Sequence, residues 1–181
     1  MEITIKDQKS LENSCEELIN RTPKFKQVLD LHGFPSIRKR SGGFKALLKT
    51  IISQQLSVAA ASNIWERVES QGFANLKAIK SADEAVLRSL GLSRQKVKYV
   101  KSLAFSGIKF HTFEGSGDEE IISVLTSVKG IGLWSAEIYL MFSMMRSDIF
   151  PAGDLALQIS ASHLFENNDC LLYTSPSPRD Q

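Results

Sequence analysis

Several absences limit what this 181-residue chain can be. It has only two cysteines, Cys15 and Cys170, which exclude a disulfide framework and a CxxC zinc site. No apolar run approaches the roughly 18 residues that a membrane span requires. The first nine residues mix charges with isoleucine, so we expect no secretory signal. These features predict a reduced, soluble, intracellular protein with no membrane partner.

The apolar residues that are present follow helical periodicity. The hydrophobic share is 43%, with ten phenylalanines, which is enough for a sizeable core. Phe44, Leu47, Leu48, Ile51 and Ile52 recur at the spacing of one helix face. No segment alternates with a period of two. The sequence therefore predicts an all-α fold.

Serines mark two further helix starts. Ser93 is placed to cap a helix that carries Val97 and Val100. Ser81 and Glu84 have the spacing of a capping box, which predicts a helix that starts at once after Ser81.

Charge is unevenly distributed, although the formal net charge is only +2. Residues 36–101 hold thirteen basic and four acidic residues, whereas residues 102–181 hold four basic and ten acidic residues. Such a basic block suits a polyanionic partner. The alternative is a solvated, lysine-rich helical surface, which the charge alone favours.

The most informative segment is the glycine turn Val128-Lys-Gly-Ile-Gly132 between two apolar helices. We expect the second helix to run from about Leu133 to Met145. Gly130 and Gly132 are expected to adopt positive φ and to let a ligand approach the backbone. N–H groups of the turn and of the following helix would then bind an anion such as one phosphate. The alternative is a plain corner between helices with glycine caps.

Polar side chains lie at two other helix ends. Asp154 follows a loop that contains Pro151 and Gly153, and it is expected to cap the next helix. An ionised carboxylate at such a position can also stabilise a cation or activate water. Gln54 and Gln55 end an apolar helix, where amides can fill or read a gap in a base stack. A capped helix–helix turn is the alternative there.

Four motifs occur in order: Ile51-Ile-Ser-Gln-Gln-Leu-Ser57, Gly91-Leu-Ser-Arg-Gln-Lys96, Val128-Lys-Gly-Ile-Gly-Leu-Trp-Ser-Ala136 and Phe150-Pro-Ala-Gly-Asp154. Together they resemble the helix-hairpin-helix DNA glycosylases, specifically the 3-methyladenine DNA glycosylase II branch. The resemblance covers roughly residues 36–165. It implies a two-lobed helix-hairpin-helix fold whose cleft holds a base flipped out of double-stranded DNA. It also implies a base-excision repair enzyme that hydrolyses the N-glycosyl bond of alkylated purines.

The resemblance assigns roles to single residues. Asp154 matches the catalytic aspartate that stabilises the sugar cation and assists water, and Gln55 matches the residue that wedges into the gap left by the flipped nucleotide. Trp134 matches an aromatic residue of the base pocket, with core packing as an equal alternative. Bifunctional relatives have a Schiff-base lysine at the position of Trp134. The resemblance therefore implies a monofunctional enzyme that leaves an abasic site.

The remaining assignments are DNA contacts and one cation site. The expected DNA-binding residues are Gln54, Gln55, Ser93, Arg94, Lys96, Lys129, Gly130, Ile131 and Gly132. The backbone carbonyls of Thr126, Val128 and Ile131 match positions that can hold a monovalent cation, Na⁺ or K⁺. No cofactor is otherwise required, and a monomer is expected. Because bacteria and eukaryotes both use this branch, the resemblance implies either a bacterial cytoplasm or a eukaryotic nucleus.

The last twelve residues, 170–181, have no periodicity. They resemble the translation of a transposon-type sequencing adapter, with an ordinary disordered tail as the alternative. The adapter interpretation predicts a glycosylase domain over residues 1–169 that is truncated at its C-terminus.

Other functions stay open at this point. They are a non-catalytic helix-hairpin-helix DNA-binding module, a glycosylase for oxidised or mismatched bases, and a helical interaction domain with a solvated basic stripe. Among the purine lesions, 3-methyladenine, 7-methylguanine, ethenoadenine and hypoxanthine are not separated.

Overall fold

The computed structural model describes residues 4–165, so the predicted tail at 170–181 lies outside the described residues. The elements in that range are helical: α1 (Gln8–Arg21), α2 (Phe25–His32), α3 (Gly43–Ser53), α4 (Val58–Ser70), α5 (Leu76–Ser81), α6 (Glu84–Ser89), α7 (Arg94–Phe105), a short 3-10 helix (Phe110–Gly115), α8 (Asp118–Thr126), α9 (Leu133–Phe142) and α10 (Leu155–Phe165). Extended pairing within this range is limited to one antiparallel bridge, Thr4 to Arg146. The predicted all-α class is confirmed.

The chain divides into two compact units. Within the described residues, the first contains residues 4–38 and 145–165, with α1, α2 and α10. The second runs from Lys39 to Met144 and contains α3 to α9. Within residues 4–165, no helix is both long and apolar enough to cross a membrane.

Helix α3 is central to the second unit and contacts α4, α7 and α9. Its predicted apolar stripe is buried, because Leu47, Leu48, Ile51 and Ile52 are each at most 1% exposed. Full burial of such side chains contributes about 1.5–3 kcal/mol each. The stripe therefore fixes α3 firmly, and with it the residues that follow its C-terminus.

In the first unit, hydrogen bonds and one aromatic contact connect segments that are distant in the sequence. The N–H of Ile5 donates to the carbonyl of Met145 over 2.8 Å. The side-chain amide of Gln8 donates to the Pro35 carbonyl and accepts from the Ile37 N–H, at 3.0 Å each. The rings of Phe25 and Phe165 meet edge to face at 5.8 Å. These contacts join α1, α2 and α10 into one unit.

The predicted helix ends are confirmed at some positions and wrong at others. Ser93 caps α7, since its hydroxyl accepts from the Lys96 N–H over 3.2 Å. The capping box at Ser81 is wrong, because Ser81 is the last residue of α5 and α6 starts only at Glu84. Helix α9 ends before the predicted Met145, which has a φ of +58° that a right-handed helix cannot continue through.

Candidate nucleic-acid interface and catalytic carboxylate

The glycine turn between α8 and α9 is closed by its own backbone. The N–H of Ile131 donates to the carbonyl of Val128 over 3.0 Å. Both side chains are buried, at 4% exposed each, whereas Lys129 between them is exposed. The turn is therefore anchored from inside and presents its lysine to solvent, as a phosphate contact requires.

The start of α9 supplies the backbone that the predicted phosphate site needs. The N-cap residue is Gly132, which has no side-chain acceptor for the first N–H groups. The first intrahelical bond runs from the Ala136 N–H to the Gly132 carbonyl, over 3.1 Å. The N–H groups that precede Ala136 lie at the positive end of the helix dipole, where phosphates bind in many proteins.

The two glycines of the turn serve different purposes. Gly130 has a φ of +98°, as predicted, and a Cβ at this position would lie 2.3 Å from Cγ of Tyr99. Gly132 has a φ of −91°, so the expectation of a positive φ there is wrong. A Cβ on Gly132 would meet nothing within 4 Å. The fold itself thus requires a glycine at 130, while at 132 it leaves open backbone.

The two glutamines after α3 also differ, because one binds the hairpin and the other is exposed to solvent. The side-chain amide of Gln54 donates to the carbonyl of Gly130 over 2.9 Å and is partly buried. Gln55 is exposed and has a φ of +55°. A left-handed conformation costs a residue with a side chain about 1–2 kcal/mol. The structure therefore ties Gln54 to the hairpin and holds Gln55 outward in an uncommon conformation.

The Gly91–Lys96 motif offers one exposed cation. Arg94 is the first residue of α7 and is exposed, whereas the hydroxyl of Ser93 is used as the cap. The ammonium of Lys96 donates to the carbonyl of Ile52 over 2.6 Å, and burial lowers the pKa of this lysine. Lys96 therefore closes the end of α3 in this structure, and Arg94 stays available for a phosphate.

Trp134 is 42% exposed, so the core-packing alternative for this residue is wrong. The buried side of α9 is formed by other residues, among them Ala136, Tyr139 and Leu140. The hydroxyl of Tyr139 accepts from the Gly43 N–H over 2.8 Å, and burial raises the pKa of this tyrosine. The base-pocket role of Trp134 stays a prediction.

A cavity of about 480 Å³ lies in the second unit beside α3 and α9. Hydroxyl and cationic side chains form much of its wall. Its lining residues are Arg40, Ser41, Ala46, Lys49, Thr50, Ser53, Ile138, Tyr139 and Ser143. Its volume falls within the range of small-molecule pockets.

The predicted cation site would use backbone carbonyls of the hairpin. The carbonyl of Val128 accepts the Ile131 N–H and keeps a second lone pair. Thr126 is the last residue of α8, where carbonyls lack intrahelical partners. Within the described part of the chain, no cluster of three or more His, Cys, Asp or Glu side chains could hold a metal.

Asp154 caps α10, as predicted. Its Oδ1 accepts from the N–H groups of Ala156 and Leu157 over 3.0 and 3.3 Å. Its own N–H donates to the Pro151 carbonyl over 2.9 Å, which fixes the loop before the helix. The carboxylate is half-buried and lies at the positive end of the α10 dipole, where a negative charge is stabilised.

Sequence reasoning missed Tyr99 and the pairing of Lys96 with Ile52. Both are contacts of α7 with residues distant in the sequence, and one pair is 44 residues apart. No local pattern indicates such contacts. The close approach of Tyr99 could only be suspected from the glycine that it meets.

The helices and the glycine hairpin define a helix-hairpin-helix protein. A family model described as "HhH-GPD superfamily base excision DNA repair protein" matches residues 48–170. The chain belongs to this superfamily, as the resemblance implied.

The named relatives lie in the 3-methyladenine glycosylase branch. The chain is 34% identical over 124 residues to DNA-3-methyladenine glycosylase 1 of Schizosaccharomyces pombe, covering 64% of this chain and 54% of that protein. It is 32% identical over 166 residues to DNA-3-methyladenine glycosylase of Saccharomyces cerevisiae, covering 80% of this chain and 56% of that protein. The chain thus spans just over half the length of these two relatives.

Solved structures agree with this placement. The crystal structure of a DNA-3-methyladenine glycosidase from Bacillus halodurans superposes with a TM-score of 0.78 at 31% identity, over 88% of this chain and 79% of that one. A 3-methyladenine DNA glycosylase of Schizosaccharomyces pombe, in complex with abasic DNA, gives 0.78 at 27% identity, over 90% and 85%.

Proposed function

We propose that this chain is a monofunctional DNA N-glycosylase of the 3-methyladenine DNA glycosylase II type. It flips alkylated purines out of double-stranded DNA and leaves an abasic site. The observation that carries the proposal is the carboxylate of Asp154, held by two N–H groups at the start of α10. The family membership and the named relatives support the same reaction class.

The strand is held by backbone and cations. The N-terminus of α9 takes one phosphate, and the exposed Lys129 and Arg94 add Coulombic attraction. Gln55, which is exposed in a left-handed conformation, fills the space that the extruded nucleotide leaves. The exposed indole of Trp134 offers an apolar surface on which the base can stack. A monovalent cation at the hairpin carbonyls would add positive charge next to the phosphate.

The chemistry needs one carboxylate. A purine alkylated at N3 or N7 is cationic, so it leaves with the electron pair of the broken N-glycosyl bond and becomes neutral. Asp154 stabilises the positive charge that develops on the sugar. The same carboxylate accepts a proton from the water whose oxygen bonds to C1′. Because Trp134 occupies the position after the hairpin, no amine forms a Schiff base there, and the strand stays intact.

Asp154→Asn tests the catalytic assignment. Asparagine is as good an N-cap as aspartate, so the free energy of unfolding should change by less than about 0.5 kcal/mol. Release of methylated purine from a methylated duplex should fall by about 10²- to 10⁴-fold, while duplex binding persists. The control is Asp148→Asn, which removes an exposed carboxylate from the same loop and should keep full activity.

A DNA-binding module without catalysis is the second candidate, since the hairpin alone accounts for phosphate binding. Duplex binding without base release from any lesion would favour the module and exclude the enzyme. For an active enzyme, alkali should be needed to cut the product strand, and a panel of oxidised, mismatched and alkylated bases identifies the substrate. The monomeric state and the compartment stay predictions.

A further inference from the structure

Three contacts connect the end of α3, the hairpin and α7 inside the second unit. Gln54 donates its amide N–H to the Gly130 carbonyl over 2.9 Å. Lys96 of α7 donates to the Ile52 carbonyl over 2.6 Å, at the end of α3. Tyr99, one turn further along α7, lies so close to Gly130 that a Cβ on the glycine would be 2.3 Å from Cγ of the tyrosine. Each of the three segments thus contacts the other two.

These contacts hold one peptide group from both sides. The carbonyl of Gly130 and the N–H of Ile131 belong to the same planar unit. Gln54 binds its oxygen, and the Val128 carbonyl binds its N–H over 3.0 Å. The peptide plane therefore cannot rotate without losing two hydrogen bonds, which fixes the direction of the hairpin backbone that follows it.

The same contacts determine where Gln55 lies. Gln55 follows Gln54 directly and has a φ of +55°. An exposed residue keeps such a conformation only when its neighbours hold the chain in place. The Ile52 carbonyl is held by Lys96, and Gln54 is held by the hairpin. These two contacts, one before and one after Ser53, restrain the chain that leads into Gln55.

We propose that Gln54, Lys96 and Tyr99 form a brace that fixes the distance between the wedge residue Gln55 and the phosphate-binding hairpin. The inference rests on the proposed function and adds a positioning role to it. When the hairpin binds a DNA phosphate, the brace holds Gln55 at a fixed distance from that phosphate. Binding at the phosphate then favours extrusion of the base. Gln54 acts through Gln55 and the hairpin, and it does not touch the reacting atoms.

The test replaces Gln54 by leucine, which keeps the size of the side chain and removes its donor. Binding to an undamaged duplex, measured by fluorescence anisotropy, should weaken less than extrusion does. Extrusion, measured by 2-aminopurine fluorescence beside a methylated purine, should fall about 2- to 12-fold, the effect of one net hydrogen bond. Gln71→Leu, at the exposed C-cap of α4, is the matched control and should change neither quantity.

A double-mutant cycle with Gln55→Ala separates positioning from general destabilisation. If Gln54 acts through Gln55, then Q54L should cause no further loss of extrusion in the Q55A background. Additive losses, or equal losses of duplex binding and extrusion, would overturn the proposal.

Hydrogen exchange keeps the brace testable independently of the enzyme. In Q54L without DNA, the Ile131 amide should exchange about 2- to 12-fold faster, because its peptide plane has lost one of two restraints. Unchanged exchange overturns the brace whatever the enzyme does. If the parent protein extrudes no base but the Ile131 amide still exchanges faster in Q54L, the brace is supported and the proposed function is overturned.

Discussion

Replacing Gly130 by alanine tests the geometry of the hairpin most directly. The residue has a φ of +98°, and a left-handed conformation costs alanine about 1–2 kcal/mol. The new Cβ would also lie 2.3 Å from Cγ and 2.6 Å from Cβ of Tyr99. The Cβ of Tyr99 is fixed by the backbone of α7, and its Cγ moves only by a change of χ1, so the forced shift adds about 1–3 kcal/mol. We expect a total loss of about 2–5 kcal/mol in the free energy of unfolding.

Urea denaturation is compared for four proteins: the parent, Gly130→Ala, Tyr99→Gly and the double variant. Glycine at 99 removes both the Cβ and the Cγ that the new methyl group would meet, so Gly130→Ala in that background should cost only the conformational part, about 1–2 kcal/mol. A coupling of about 1–3 kcal/mol between the two substitutions is therefore expected. Additive free energies would show that Tyr99 does not lie against the glycine. A Gly130→Ala protein as stable as the parent would refute the positive φ as well.

Gly132→Ala is the matched control in the same turn. Its φ of −91° suits alanine and its surroundings are open, so the free energy of unfolding should change by less than about 1 kcal/mol. Duplex binding should nevertheless weaken, because a methyl group would stand between the α9 N-terminus and a phosphate. Equal losses of stability in both alanine variants would contradict the distinction between a glycine required by the fold and one that leaves room for a ligand.

Two further predictions concern Glu137 and Gln55. Burial raises the pKa of Glu137 above 4.5, so the folded state binds its proton more tightly than the unfolded state does. The stability that this proton provides is present below pH 4.5, and it is lost as the pH rises through the raised pKa. Glu137→Gln should therefore gain stability relative to the parent between pH 4 and pH 7 in urea denaturation, and parallel curves would contradict this. Gln55→Gly should be more stable than Gln55→Ala by about 1–2 kcal/mol, because glycine accepts the φ of +55°. Both variants should lose base extrusion. Equal melting temperatures would show that the left-handed conformation is not strained.

The sequence predicts those features whose cause is local. The stripe on α3 is both periodic and buried, so periodicity alone identifies the helix and its inner face. Ser93 and Asp154 cap their helices because the acceptor oxygen and the N–H groups lie within three residues. Gly130 belongs to the same group, since its turn is closed by a hydrogen bond over three residues.

Features that depend on distant residues could not be predicted. Gln54 and its acceptor Gly130 are 76 residues apart, so its role on the hairpin is not visible in the α3 motif. The capping box predicted at Ser81 is wrong for a related reason. The capping-box spacing is present, but α5 continues through Ser81, whose hydroxyl donates back to the Lys77 carbonyl over 3.2 Å. A local pattern is decisive only where no preceding helix competes for the same residue.

The basic block illustrates the same limit for electrostatics. Thirteen basic residues between 36 and 101 suggest a broad surface for a polyanion, yet the fold uses several of these charges itself. Lys96 and Lys101 donate to carbonyls at the ends of α3 and α5, and Lys45 pairs with Glu69. Each cation that contacts a phosphate displaces a counterion. The logarithm of the DNA association constant therefore falls with the logarithm of the salt concentration, with a slope of roughly one unit per contact. Since the two lysines that donate to helix ends contribute little to that number, the salt dependence of duplex binding should be about two units weaker than a count of the block suggests.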